Sequence, residues 1–196
     1  MAHLSLGLAL AEEEKFAEAI HHYDEAIRLS PDADAYNNRG AAYFKMGQDL
    51  KAIEDFNKAV HLKANYADAY NNRGATYFKM GQHLKAIEDF NKVVDIKADN
   101  ADVYFKRASV FEKIGRYQSA IEDFNIALHL KPDNIEYHYS RGLVYGKLHW
   151  YQRAFEDFNE VIRLEPDHAD ALNNRGICYD EMGYPESAHA DFNKAI

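Results

Sequence analysis

Tyr36, Gly40, Tyr43 and Phe44 fall at helical spacing, and beyond Gly47 the series Leu50, Ile53, Phe56 and Val60 resumes the same period. Each series forms one apolar stripe with polar residues around the rest of the turn, the pattern of a helix that buries a single face. A glycine between two such stripes acts as a helix stop, so the segment predicts two helices joined by a short turn. Further on, Lys131-Pro132 and Glu165-Pro166 break the chain before the next pair of stripes, because proline pushes the residue before it out of helix. No stretch alternates with the period of a strand. The chain is expected to be all-α.

The pattern also repeats on a longer scale. Residues 67–100 copy residues 33–66 at 27 of 34 positions, looser copies begin at Ala101, Ile135 and Ala169, and a divergent one begins at Met1. The units are 1–32, 33–66, 67–100, 101–134, 135–168 and 169–196, the first and last incomplete. A period of this size marks a solenoid, in which each unit buries its apolar face only against its neighbours. Residues 1–196 are therefore expected to form a single array.

Certain places in the unit hardly vary. The eighth holds Gly7, Gly40, Gly74, Ala108, Gly142 and Gly176; the twentieth holds Ala19, Ala52, Ala86, Ala120, Ala154 and Ala188. The twenty-fourth holds Tyr23, Phe56, Phe90, Phe124, Phe158 and Phe192. This order of large, small, aromatic, turn glycine, alanine, aromatic, small and proline resembles the tetratricopeptide repeat over essentially the whole chain. The resemblance implies a right-handed α-solenoid, a superhelix of about six antiparallel helix-turn-helix hairpins, with the first helix of each lining a concave groove. The packing logic is independent of the family. Glycine inside a helix costs about 1 kcal/mol relative to alanine. Its recurrence predicts two helices too close for a larger side chain, with the aromatics filling the space between successive hairpins. Departures are Val93 and Val161 where other copies hold alanine, His149 and Trp150 at the turn of the fifth copy, and one residue fewer between the first two copies.

Composition is ordinary for a folded chain, 47% hydrophobic and 28% charged, with a net charge of −9. The acidity sits in the end copies, and no copy carries the basic excess that phosphate-backbone binding requires, so nucleic acid is not an expected partner. No apolar run is long enough for a membrane span, and the apolar opening residues fit the repeat register, so cytoplasmic placement and no membrane partner are expected. The single cysteine, Cys178, excludes an internal disulfide and reads as a small packed residue. Histidines are scattered over different places in the unit, and no glycine loop cradles phosphate. No catalytic residues, metal site or cofactor are expected, and the chain does not read as an enzyme.

Two sets of residues do stand out. Arg39, Arg73, Arg107, Arg141 and Arg175 recur with Asp55, Asp89, Asp123, Asp157 and Asp191, while the first copy has Leu6 and His22 at those two places. Because the two types appear and disappear together, each couple is expected to be a structural ion pair. The second set lies at the fifth and sixth places, which the resemblance puts on the groove: Asn37-Asn38, Asn71-Asn72, Phe105-Lys106, Tyr139-Ser140 and Asn173-Asn174. Asparagine offers both donor and acceptor, which suits the backbone of an extended peptide. The arrangement is similar to the asparagine ladder of the O-linked N-acetylglucosamine transferase. Acids at the second place (Asp34, Asp68, Asp102, Glu136, Asp170) and lysines at the thirteenth (Lys45, Lys79, Lys113, Lys147) complement the helix dipole. The clamp by which some family members hold a chaperone's acidic tail is not matched, since Asn37, Ala41 and Asp102 stand at places it needs filled otherwise. The expected function is a protein-interaction scaffold that takes a peptide segment or partner helix in its groove. The alternatives are the substrate-recruiting region of a larger enzyme, and an array that associates end to end through uncovered terminal residues such as Leu6, Leu10, Phe192 and Ile196.

Overall fold

A computed structural model describes residues 2–196 and contains only helices and turns among them. The helices are α1 (Ala2–Glu12), α2 (Phe16–Leu29), α3 (Ala33–Lys45), α4 (Asp49–Leu62), α5 (Ala67–Lys79) and α6 (His83–Ile96). They continue with α7 (Ala101–Lys113), α8 (Tyr117–Leu130), α9 (Ile135–Lys147), α10 (Tyr151–Leu164), α11 (Ala169–Glu181) and α12 (Pro185–Lys194). Odd and even helices pair into hairpins, and the chain divides into two compact units, Met1–Ala98 and Asp99–Ile196, each holding three hairpins.

Each hairpin turns through one left-handed residue. In the second copy the Gln48 N–H donates to the Tyr43 carbonyl (2.9 Å) and the Gly47 N–H to that of Phe44 (3.0 Å), closing the end of α3. Gly47 stands at φ +73°, a conformation that glycine adopts without steric cost. In the fifth copy the same two bonds form from Trp150 to Tyr145 and from His149 to Gly146, but His149 itself carries φ +57°. A side chain there costs on the order of 1 kcal/mol. A 2.6 Å hydrogen bond between His149 Nδ1 and the Tyr151 hydroxyl helps to hold it.

Inside the first unit, Ala19, Tyr23 and Ala42 are buried together, with Leu4, Leu10, Phe16 and Ile20 packed on them. Inside the second, Ala108, Ala120, Phe124, Val144, Ala154, Phe158 and Cys178 belong to one buried cluster. The aromatic ring has two neighbours, not one. Phe124 shares a buried cluster with Val144 of the following hairpin, but Phe56, Phe90, Phe158 and Phe192 also sit on the close-packed glycines of their own hairpins. A Cβ on Gly40 would stand 2.8 Å from Phe56 Cε1, and one on Gly142 the same distance from Phe158 Cε1. At the termini, Leu6 and Ile196 are exposed while Leu10 and Phe192 are half-buried.

Candidate functional site

Five hairpins carry a guanidinium fork on a buried carboxylate. Arg39 donates through Nε and Nη2 to both oxygens of Asp55 at 2.7 Å each, and Asp55 is 2% exposed. Arg73 binds Asp89 in the same way (2.9 and 2.6 Å), as do Arg107 and Asp123, Arg141 and Asp157, and Arg175 and Asp191. Such two-pronged, charge-assisted bonds fix orientation as well as contributing energy. The arginine also reaches back to the preceding hairpin. Nη1 donates to Asn57 from Arg73 (2.7 Å), to Asn125 from Arg141 (2.6 Å) and to Asn159 from Arg175 (2.8 Å), while Arg39 meets Asp24 (2.5 Å). These acceptors are absent from the set of expected site residues. Their signal is an asparagine or aspartate directly after the aromatic in every copy, from Asp24 to Asn193.

The fifth copy adds a titratable member. His138 stands where three other copies hold tyrosine, with Nδ1 2.9 Å from Asp157 Oδ1 and Nε2 2.8 Å from the Pro132 carbonyl. Both partners are acceptors, and only the imidazolium can donate from both nitrogens. Burial lowers the His138 pKa, but the bonds to Asp157 and Pro132 and the Asp157 charge outweigh burial and the repulsion of Arg141, so the net shift is upward from 6.5. A folded pKa above the unfolded one gives stability that is fully present below pH 6.5 and is lost as pH rises through the folded value. Thermal melts across that window should show wild type falling relative to His138→Tyr; parallel profiles would remove the imidazolium from the network.

The groove residues divide by place. At the fifth place, Asn37 is buried, and Phe105 and Tyr139 pack on the core of the second unit. Phe105 stacks on Tyr137 with ring centres 4.8 Å apart, and Tyr139 lies 5.2 Å from the ring of His168. The sixth-place side chains of the next hairpin meet them: Asn72 Nδ2 donates to Asn37 Oδ1 (3.1 Å), and Asn174 Nδ2 to the Tyr139 hydroxyl (3.1 Å). Fifth-place side chains thus join hairpins within each unit, while Asn38, Asn72, Ser140 and Asn174 remain half-buried at the surface. Asn71 is also half-buried and Asn173 is exposed. Lys106 is half-buried, and burial lowers its pKa against the opposing pull of Asp102.

The bordering charges stand in first and last helical turns, and many also pair with another element. Lys79 binds Asp49 (2.8 Å) and Lys147 binds Glu112 (2.5 Å). Asp102 accepts from Lys131 (2.8 Å) and from the Tyr137 hydroxyl, and those bonds hold its carboxyl below the ordinary aspartate range. Cys178 is buried, and desolvation pushes its thiol up to about 11, which suppresses the reactive thiolate. Among the described residues no three metal-ligating side chains come together, and no helix is long and apolar enough to cross a membrane.

Comparison with known proteins agrees with this geometry. A family model described as TPR repeat matches residues 7–47, 43–81 and 113–148, and three further tetratricopeptide repeat models match 67–100, 135–168 and 169–196. The chain is 39% identical over 61 residues to the Hsp70-Hsp90 organizing protein of Triticum aestivum, a match covering 31% of this chain and 10% of that protein. It is 47% identical over 57 residues to tetratricopeptide repeat protein 36 of Xenopus tropicalis, covering 29% of this chain and 28% of the relative. Its hairpins resemble the crystal structure of MamA protein (26% identity, TM-score 0.79, 83% of this chain and 89% of that one). They also share the fold of YrrB, described as a TPR protein with an unusual peptide-binding site (24% identity, TM-score 0.79, 89% and 90% coverage).

Proposed function

The chain belongs to the tetratricopeptide repeat family, and from that premise we propose that it is a non-catalytic scaffold holding an extended segment of another protein along its odd-numbered helices. One observation carries this reading. Asn38 on α3 and Asn72 on α5 present half-buried amides at equivalent places, and Asn72 is held in one orientation by its bond to Asn37. With Nδ2 committed to Asn37, the Asn72 carbonyl oxygen is left as an acceptor for a backbone N–H. Equivalent amides on successive odd helices offer repeated bonds to the backbone of one extended chain, giving register without strong choice of sequence. In the second unit Lys106, Ser140 and Asn174 stand at the same place and add a cation and a hydroxyl, so side-chain preference is expected there.

The test begins with peptides selected from a displayed random library on the immobilised chain. Calorimetry of a selected peptide should show Asn38→Ala with Asn72→Ala weakening binding by roughly tenfold, the loss of two neutral hydrogen bonds. Asn72→Ala also strips a donor from the buried Asn37 oxygen, so affinities are compared well below both melting temperatures. Equal affinities would move the interaction to another face.

A further inference from the structure

The first hairpin differs from the other five at the point where they place their ion pair. Leu6 replaces the arginine and His22 the aspartate, and His3 occupies the place that His138 holds in the fifth copy. The structure brings the two imidazoles together, with Nδ1 of His3 3.1 Å from Nδ1 of His22 and the rings stacked at 27° with centres 5.4 Å apart. Both residues are half-buried, so the pair is held between α1 and α2 instead of trailing in solvent.

We propose that His3 and His22 form a two-imidazole site for a divalent transition-metal ion such as zinc, clipping α1 to α2. Two nitrogens bound to one ion at about 2.0–2.1 Å lie about 2.9 Å apart at a right angle and about 3.3 Å apart at the tetrahedral angle. The observed 3.1 Å, a hydrogen bond between the two imidazoles, falls between these values, so an ion that replaces the shared proton can take both nitrogens. Neutral imidazole is a strong ligand for zinc, nickel and copper. No arginine competes here, because Leu6 stands where the other hairpins carry their guanidinium. The remaining coordination positions are open to water.

Zinc titrated by calorimetry into the whole chain should bind at one equivalent, with the modest affinity of a two-imidazole site completed by water. His3→Ala and His22→Ala should each weaken that binding by roughly tenfold or more, since the second imidazole binds intramolecularly at high effective concentration. His21→Ala, on the neighbouring ring, should leave it unchanged. Should the alanine variants fold poorly, Leu6→Arg with His22→Asp rebuilds the ion pair of the other hairpins and should fold while losing the zinc. Imidazole resonances of His3 and His22 should shift together at one equivalent. Unchanged zinc affinity in both alanine variants, or a loss confined to His3→Ala, would overturn the proposal.

Discussion

Asp89→Ala is expected to destabilise the chain by about 3–5 kcal/mol, because it strands the Arg73 guanidinium without its buried partner. The carboxylate is 3% exposed and accepts both prongs of the fork. Arg73→Ala should cost at least as much, because it orphans the Asp89 carboxylate, which is more deeply buried than the guanidinium, while Asn57 is exposed and can turn to solvent. The double variant should lose far less than the sum, since removing both partners leaves no orphaned charge. Burial raises the Asp89 pKa against the opposing pull of Arg73, so desolvation works against the pair. For that reason Arg73→Met with Asp89→Leu should come close to wild-type stability while fixing the hairpin angle less firmly. Urea melts of wild type and the four variants test this, and additive losses from the two alanine variants would show that the residues do not interact.

The Arg–Asp couples are legible in the sequence because one copy lacks both members: Leu6 and His22 act as an internal control for the other five hairpins. The hairpins are legible for a similar reason, since apolar spacing and a turn glycine recur together. What the sequence hides is the contact between one hairpin and the next. Asn57 and Asn125 carry no signal beyond their recurrence after the aromatic, and only the packing of α5 on α4 and of α9 on α8 shows that an arginine reaches them. The asparagine pairs show the same limit. Asn37 and Asn38 are identical neighbours, yet the rotation of about 100° between successive helical residues buries the first and leaves the second half-exposed. Phe105 and Tyr139 follow Asn37 into the seam, so their aromatic surface is largely spent on the fold. The turn of the fifth copy is a third case, where His149 adopts a left-handed conformation that its side chain disfavours, guided by the helix-end bonds around it.

Glycine-to-larger substitutions should give opposite signs in two helices of the same fold. Gly40→Val is expected to cost about 2–3 kcal/mol, near the top of the usual range for overpacking. Its Cβ would stand 2.8 Å from Phe56 Cε1 and 3.2 Å from the Ala52 carbonyl oxygen, so neither the ring nor the backbone of α4 can yield without moving the other. Phe56 is fully buried. Phe56→Leu alone should also destabilise, by opening a cavity. Combined with Gly40→Val it should recover much of the loss, because the smaller side chain vacates the volume the valine needs. Gly146 is the control. It lies inside α9 with nothing within 4 Å of the point a Cβ would occupy, so Gly146→Ala meets no clash and gains only helix propensity. That change should stabilise by about 0.5–1 kcal/mol. Copy four shows that the close-packed place is not closed to every side chain, since Ala108 stands there against a fully buried Phe124. The cost at Gly40 therefore belongs to its own helix separation, and urea melts of Gly40→Val, Phe56→Leu and their combination measure it. A Gly40→Val variant as stable as wild type would show that α3 and α4 can part without loss, and the aromatic seat would then not set the hairpin spacing.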